Sequence, residues 1–76
     1  MYNYFVKFMY DGVSLEYEFT NEANFQNVMD ETILSNQASA AANYFIDENK
    51  LRKQNVFIGD LCLYVKEPMK LLWKKK

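Results

Sequence analysis

Hydrophobic and polar residues alternate along the first twenty positions of the chain. Aromatic and aliphatic side chains occupy the even positions of Tyr2–Tyr10 and, after Asp11 and Gly12, the odd positions of Val13–Phe19. Strict alternation is typical of a half-buried β-strand. An Asp-Gly pair between two such runs is typical of a type I′ turn, which needs positive φ at both central residues. The pattern therefore predicts a β-hairpin over residues 2–20.

The two-residue turn also predicts which residues face each other across the hairpin. Four hydrophobic pairs fall on one face: Tyr10 with Val13, Phe8 with Leu15, Val6 with Tyr17, and Tyr4 with Phe19. The opposite face pairs Lys7 with Glu16, which is a favourable cross-strand charge pair. Phe5 and Met9 lie on that same face, where the hairpin alone leaves them uncovered.

The middle of the chain loses the alternation and takes up helical spacing. Thr20 or Asn21 is a candidate N-cap. Two apolar stripes follow, one of Phe25, Val28, Met29, Thr32 and Ile33, and one of Leu34, Ala38, Ala41, Ala42 and Phe45. The stripes do not share one straight face, and the weaker helix formers at 35–37 lie between them. We therefore expect a helical segment over 22–51, formed by one kinked helix or by two helices at 22–34 and 37–51.

The last third becomes apolar and β-branched again. Two short runs flank Gly59 and Asp60, which predicts a second hairpin over 55–67 with a tight turn at this pair. Pro68 interrupts the second run, so we expect a separate final segment over 68–76. Its residues 69–73 form either an edge strand or a helical turn, and a lysine tail follows them. The whole chain, 1–76, is predicted to be one small α+β domain with an antiparallel sheet.

Composition narrows the protein's class. Half of the 76 residues are hydrophobic and 25% are charged, which is not the composition of a disordered chain. The single cysteine cannot form an internal disulfide, so we expect a reducing, cytoplasmic setting, which is the host cytoplasm if the chain is virally encoded. No apolar run approaches 18 residues, and no membrane span is predicted.

Several kinds of chemistry have no residues to support them. The chain has no His, so it contains neither a Ser-His nor a Cys-His nucleophile pair and no mixed His/Cys zinc cluster. Gly12 and Gly59 are both assigned to turns, which leaves no glycine-rich phosphate loop. Glu16 and Glu18 have a spacing that hydrolases can use, but they are predicted on a solvated strand face. Cys62 is expected to be a buried, inert thiol. We therefore expect neither enzyme activity nor a metal or cofactor.

The net charge of −1 conceals two opposite blocks. Residues 1–49 carry eight acids and one base, which gives −7, and residues 50–76 carry eight bases and two acids, which gives +6. The blocks either interleave in space, or form an acidic helical face, or form a basic phosphate-binding patch. The candidate acidic face consists of Glu22, Asp30, Glu31, Asp47 and Glu48. The candidate basic patch consists of Lys50, Arg52, Lys53, Lys70 and Lys74.

Thirteen aromatic residues exceed what so small a core needs. Phe5, Met9 and Tyr44 are therefore candidate partner contacts, because aromatic residues and Met are enriched at protein interfaces. We expect a non-enzymatic protein-binding module, an inhibitor or regulator encoded by a phage or mobile element. Its target would be a host nucleic-acid-handling or defence enzyme, such as a CRISPR or restriction effector. Two alternatives stay open: a nucleic-acid-binding module using the basic C-terminal third, and a self-associating structural protein such as a homodimer.

Overall fold

The structure, a computed structural model, describes all residues 1–76 and has the predicted α+β architecture. The elements in chain order are β1 (Tyr2–Tyr10), β2 (Val13–Asn21), α1 (Glu31–Glu48), β3 (Gly59–Lys66) and β4 (Met69–Lys74). The strands form one antiparallel sheet in the order β2-β1-β3-β4, which makes β2 and β4 the two edges.

The first hairpin confirms the prediction in both its turn and its register. Asp11 and Gly12 have φ values of 53° and 77°, as a type I′ turn requires. Tyr10 faces Val13, and the pairs that follow along the hairpin, as far as Tyr4 with Phe19, are those predicted. The same register continues to Tyr2 with Asn21. The local turn chemistry and the alternating pattern agree, so this element is specified by its own sequence.

The predicted helix over residues 22–34 is wrong for its first nine positions. The Asn21 side chain accepts a hydrogen bond from the Ala23 amide at 2.9 Å, and the Asn24 side chain accepts one from Gln26 at 3.0 Å. These Asx turns compete with helix formation for the same backbone amides. The helix N-cap is Asp30, whose carboxylate accepts from the Thr32 amide at 2.9 Å, and not Thr20 or Asn21.

The rest of the helical segment is one helix without a break at Ser35–Gln37, so the alternative of two helices at 22–34 and 37–51 is wrong. Its buried stripe is Leu34, Ala38, Ala41, Ala42 and Ile46, which is continuous along one face. The helix ends before 51, in a Schellman motif. Lys50, at φ 56°, donates to the Asp47 carbonyl at 3.2 Å, and Leu51 donates to Ile46 at 2.9 Å.

A C-terminal hairpin is present, but its predicted bounds, 55–67, and its predicted turn are wrong. Gly59 and Asp60 are not a turn but the first two residues of β3, and residues 55–58 belong to the connection before that strand. β3 pairs with β1 on one side and with β4 on the other. The second hairpin instead turns at Glu67 and Pro68, whose peptide bond is cis, and residues 69–73 belong to the edge strand β4.

The core lies between α1 and one face of the sheet. All thirteen buried residues are hydrophobic, and the sheet contributes to them Tyr4, Val6, Phe8 and Tyr10 from β1 and Leu61, Leu63 and Val65 from β3. The molecule is only 17 Å deep along its shortest axis, because no second layer covers the other face of the sheet. We call that uncovered side the open face.

Two buried tyrosines of β1 hold the chain where it enters and leaves α1. The Tyr4 hydroxyl donates to the Ala23 carbonyl at 2.6 Å and accepts from the Phe25 amide at 3.0 Å. The Tyr10 hydroxyl accepts from the Lys53 amide at 2.8 Å. These bonds fix the position of the helix across the sheet and leave no buried side-chain polar atom without a partner.

Candidate interaction surfaces

The structure does not bring the five candidate acids together on one helical face. Glu31 lies in the first turn of α1 and Glu48 is its last residue, about 25 Å apart along the helix axis. No charged side chain lies between Glu31 and Asp47. Glu22 belongs to the connection before the helix, and the Asp30 carboxylate is engaged as the N-cap.

The two charge blocks interleave in space. The ion pairs are Arg52 with Asp47 at 2.9 Å, Lys66 with Glu18 at 2.6 Å, and Lys53 with Asp11. Each pair joins a base of the last third to an acid of the first 49 residues. The hydrogen bond from Arg52 lowers the pKa of the Asp47 carboxyl, and the hydrogen bond to Asp11 raises the pKa of Lys53. All three pairs are solvent-exposed, so they contribute little to stability.

The five candidate bases are divided between two elements. Lys50, Arg52 and Lys53 lie in the connection after α1, where Arg52 also donates to the Asn43 side chain at 2.8 Å. Lys70 and Lys74 lie on the edge strand β4. Two of the first three bases already hold carboxylates, which reduces the charge available there to a phosphate backbone.

The candidate aromatic contacts lie on both sides of the sheet. On the open face, Phe5 stacks on Tyr64 with ring centroids 4.6 Å apart and planes at 6°. Met9 lies on the same face, opposite Gly59 and half-buried. Tyr44 lies on the helix side and is 54% exposed. A hydrogen bond with the Glu48 carboxylate, and the charge of that group, raise the pKa of Tyr44.

Cys62 differs from the expectation of a buried thiol. It is half-buried on the open face, where its sulfur lies 3.6 Å from the Asp60 carbonyl oxygen. Its neighbours across the sheet are Lys7 on β1 and Lys74 on β4. The flanking residues, Leu61 and Leu63, are buried on the helix side, as the alternation predicts.

A groove between α1 and the edge strand β2 brings residues together that the sequence did not connect. The inward side chains of β1 from Tyr4 to Tyr10 are at most 4% exposed, whereas Leu15, Tyr17 and Phe19 of β2 are only half-buried. The groove has a volume of about 230 Å³ and is lined by Tyr17, Phe19, Gln37, Ala40, Ala41 and Tyr44. We call it the aromatic groove. The small side chains at 40 and 41 are what keep it open.

A second groove continues along the same side of β2. It has a volume of about 200 Å³ and is lined by Tyr10, Asp11, Val13, Leu15, Leu51 and Lys53. The inward side of β2 is therefore bordered by incompletely filled apolar space over most of its length. The sequence identified Tyr17 and Phe19 as members of a hydrophobic ladder, but it carried no signal that the helix would leave them half-covered.

The remaining chemistry of the surface is limited. No three His, Cys, Asp or Glu side chains lie close enough together to bind a metal ion. No helix in the structure combines the length and apolar character that crossing a bilayer requires. Comparisons with protein-family models, with curated proteins and with solved structures find no match to this chain.

Proposed function

We propose that this chain is a non-enzymatic protein-binding module that docks on its partner through the aromatic groove. The observation that carries the proposal is the half-covered inward side of β2 beside the exposed ring of Tyr44. The Tyr17 ring centroid lies 5.8 Å from that of Tyr44 and 6.1 Å from that of Phe19. Tyr17 therefore contacts both of the other rings, and the three together present a large amphipathic contact area.

The groove has the composition of a protein-binding site. Tyrosine provides contact area at low entropic cost because only two side-chain torsions must be fixed. The Tyr17 ring is held further by Phe45, at 5.4 Å between centroids, so it needs little reorganisation on binding. Ala40 and Ala41 leave room for a side chain of the partner between α1 and β2. Exposed aromatics, and not a continuous acidic helical face, are therefore the docking surface in this proposal.

The charge on the open-face side of β2, the strand that borders the groove, favours a basic partner. Glu16 and Glu18 are the only charged residues of β2, and Glu22 follows that strand directly. Enzymes that handle nucleic acid carry basic surfaces for the phosphate backbone. We propose that the partner is such an enzyme, a CRISPR or restriction effector, and that the chain acts in the host cytoplasm as a phage- or mobile-element-encoded inhibitor. It would act by steric occlusion, with its acids steering the encounter.

Affinity capture with matched variants tests this function. The protein, Tyr44→Ala and Phe57→Ala are each immobilised and exposed to host lysate, after circular dichroism has shown that all three fold. Phe57 is the control because it is 84% exposed and lies outside the groove. We expect wild type and Phe57→Ala to retain one nucleic-acid-handling enzyme and inhibit it in purified form, and Tyr44→Ala to lose it. Equal recovery by all three, or no recovered enzyme, refutes the proposal.

The open face supports a second candidate, binding of single-stranded nucleic acid. The stacked rings of Phe5 and Tyr64 lie near Lys7 and Lys74, which form no ion pair. Stacking on aromatic rings beside cationic side chains is a common mode of single-strand binding. Fluorescence anisotropy with a labelled oligonucleotide tests it: binding should weaken with salt and with Phe5→Ala. Absence of binding at low ionic strength removes this candidate.

Self-association is the third candidate, since Phe5 and Met9 leave apolar area on the open face and β4 is an unpaired edge. Sedimentation velocity at micromolar concentration decides it. A single species of 9.1 kDa removes the homodimer.

A further inference from the structure

The outer edge of β2 presents unpaired backbone groups. Tyr10 and Val13 flank a two-residue turn, so they form a hydrogen-bonded pair. Hydrogen-bonded and non-hydrogen-bonded pairs alternate along antiparallel strands, so every second residue of β2, starting at Val13, directs its N–H and C=O groups toward β1. The intervening residues, Ser14, Glu16, Glu18 and Thr20, therefore direct their N–H and C=O groups away from the sheet. β2 is nine residues long, contains no proline and pairs with β1 without a bulge. Such an edge is a template for another strand.

The two sides of this edge differ in chemistry. On the helix side, the aromatic groove and the second groove offer apolar space beside alternate residues of the strand. On the open face, the corresponding residues include Glu16 and Glu18, and β2 contains no base. Glu18 is held by Lys66, and Glu16 forms no ion pair. A strand placed here would therefore meet apolar contacts on one side and negative charge on the other.

We propose that β2 takes up an extended segment of the partner as a fifth strand, antiparallel to it. In this geometry the segment carries basic residues opposite Glu16 and Glu18 and apolar residues opposite Tyr17 and Phe19. The main-chain hydrogen bonds supply affinity, and the alternation of basic and apolar residues supplies specificity. This inference rests on the proposed protein-binding function and adds the chemistry of the partner and the geometry of docking.

Charge favours a basic partner segment over a second copy of the chain. Two β2 strands paired antiparallel about Tyr17 would place Glu16 of one copy opposite Glu18 of the other, twice. Like charges directly opposite each other destabilise a strand pair. The other edge is a weaker template, because β4 has six residues and its pairing with β3 is interrupted by a register shift.

A short peptide tests the backbone geometry. The acetylated, amidated heptapeptide Thr-Ile-Lys-Val-Lys-Ile-Thr is titrated into the isotopically labelled protein, and affinity is read from amide chemical shifts. In antiparallel addition, the lysine amides point at β2 and the valine amide points to solvent. We expect N-methylation of either lysine amide to weaken binding at least tenfold and N-methylation of the valine amide to leave it within about twofold. A peptide of the same composition with its lysines adjacent should bind more weakly.

Charge exchange tests the side-chain contacts. Glu16→Lys should weaken binding of the lysine peptide about fivefold and favour a peptide with glutamate in place of its second lysine, which lies opposite residue 16. Glu31→Lys is the matched control, because Glu31 is also exposed but lies on α1 outside both grooves. It should leave both affinities unchanged.

The outcomes separate this inference from the proposed function. Fifth-strand addition is overturned if the peptide does not bind, if all N-methyl groups have equal effects, or if the effect is larger at valine. It is also overturned if the protein forms a concentration-dependent dimer that the peptide dissociates. If a captured enzyme still depends on Tyr44 while these peptide results fail, the protein-binding function stands and strand addition is wrong. If the peptide results hold and Tyr44→Ala does not affect the captured enzyme, the edge binds strands and the groove-based function fails.

Discussion

Removal of one buried hydroxyl group should measure how strongly β1 holds the chain before the helix. Tyr4 is 0% exposed, and its hydroxyl makes two hydrogen bonds, to Ala23 at 2.6 Å and from Phe25 at 3.0 Å. Tyr4→Phe keeps the ring and its contacts with Phe19 and Phe25, whose centroids lie 5.7 and 5.2 Å away. The substitution therefore isolates the hydrogen bonds from the packing of the ring.

The expected loss follows from those two bonds. Each net hydrogen bond contributes about 1 kcal/mol, and a buried group left without a partner adds its desolvation cost. We expect Tyr4→Phe to lower the free energy of unfolding by about 2–3 kcal/mol. For a domain of this size, that corresponds to a fall in Tm of roughly 10–20 °C. The change is a large share of a small domain's stability, which is typically about 5–15 kcal/mol.

Urea unfolding followed by circular dichroism measures the effect, and Tyr17→Phe is the control. Tyr17 is half-buried and its hydroxyl forms no hydrogen bond within the chain, so its loss should change stability by no more than about 0.5 kcal/mol. Native-state hydrogen exchange gives a second readout, because the Phe25 amide should lose protection in Tyr4→Phe. The reasoning fails if the two variants unfold alike, or if the Phe25 amide stays protected.

Three further predictions concern the turns, the ion pairs and the core. Gly12→Ala should lower the free energy of unfolding by about 1 kcal/mol, because φ is 77°; no atom crowds the added methyl group, so the backbone conformation is the whole cost. Gly59→Ala should change the free energy of unfolding by no more than about 0.5 kcal/mol, and thermal melts compare the two variants. In carbon-detected NMR, the carboxyl of Asp47 should titrate below its usual pKa, and in Arg52→Gln it should return to that usual value. The Asp47–Arg52 ion pair therefore stabilises the fold at pH values above the usual pKa, and this contribution is lost as the pH falls through the lowered value. An unchanged titration midpoint in Arg52→Gln would contradict the ion pair. Ile46→Ala should cost about 2–5 kcal/mol in urea unfolding, since the side chain is 0% exposed, and a cost below 1 kcal/mol would contradict its place in the core.

The elements that the sequence predicted well are those with strong local determinants. Asp11 and Gly12 can both adopt positive φ, and the alternating residues on either side leave only one register that buries a single face. The buried stripe from Leu34 to Ala42 was likewise visible as helical spacing. In each case the deciding interactions are between residues close in sequence.

The errors arose where a local signal had two structural meanings. Asn21 and Asn24 can cap a helix or close an Asx turn, and here they close turns. Gly59 and Asp60 suit a tight hairpin turn, but β1 offers a free edge where β3 adds as a strand beginning at Gly59. The helix ends at a Lys50 in left-handed conformation, a position where glycine is the usual signal.

In the candidate site, too, the sequence predicted single residues, whereas their arrangement depends on the tertiary structure. The sequence identified Tyr44 as a candidate partner contact, and it placed Tyr17 and Phe19 on the hydrophobic face of the first hairpin. The groove between them depends on where α1 crosses the sheet. The hydroxyl groups of Tyr4 and Tyr10 set that position through hydrogen bonds to Ala23 and Lys53, which are separated from them by 19 and 43 positions in the sequence. No pattern within either element encodes that distance.

The sequence by itself determined the α+β class, the first hairpin with its register, and the opposite charges of residues 1–49 and 50–76. Only the tertiary structure decided that these charges pair with one another, that α1 covers β1 and leaves β2 half-exposed, and that the open face has no second layer. The physical reason is range: turn chemistry and alternation act between neighbours, whereas helix placement and ion pairing depend on groups that meet only once the chain has folded.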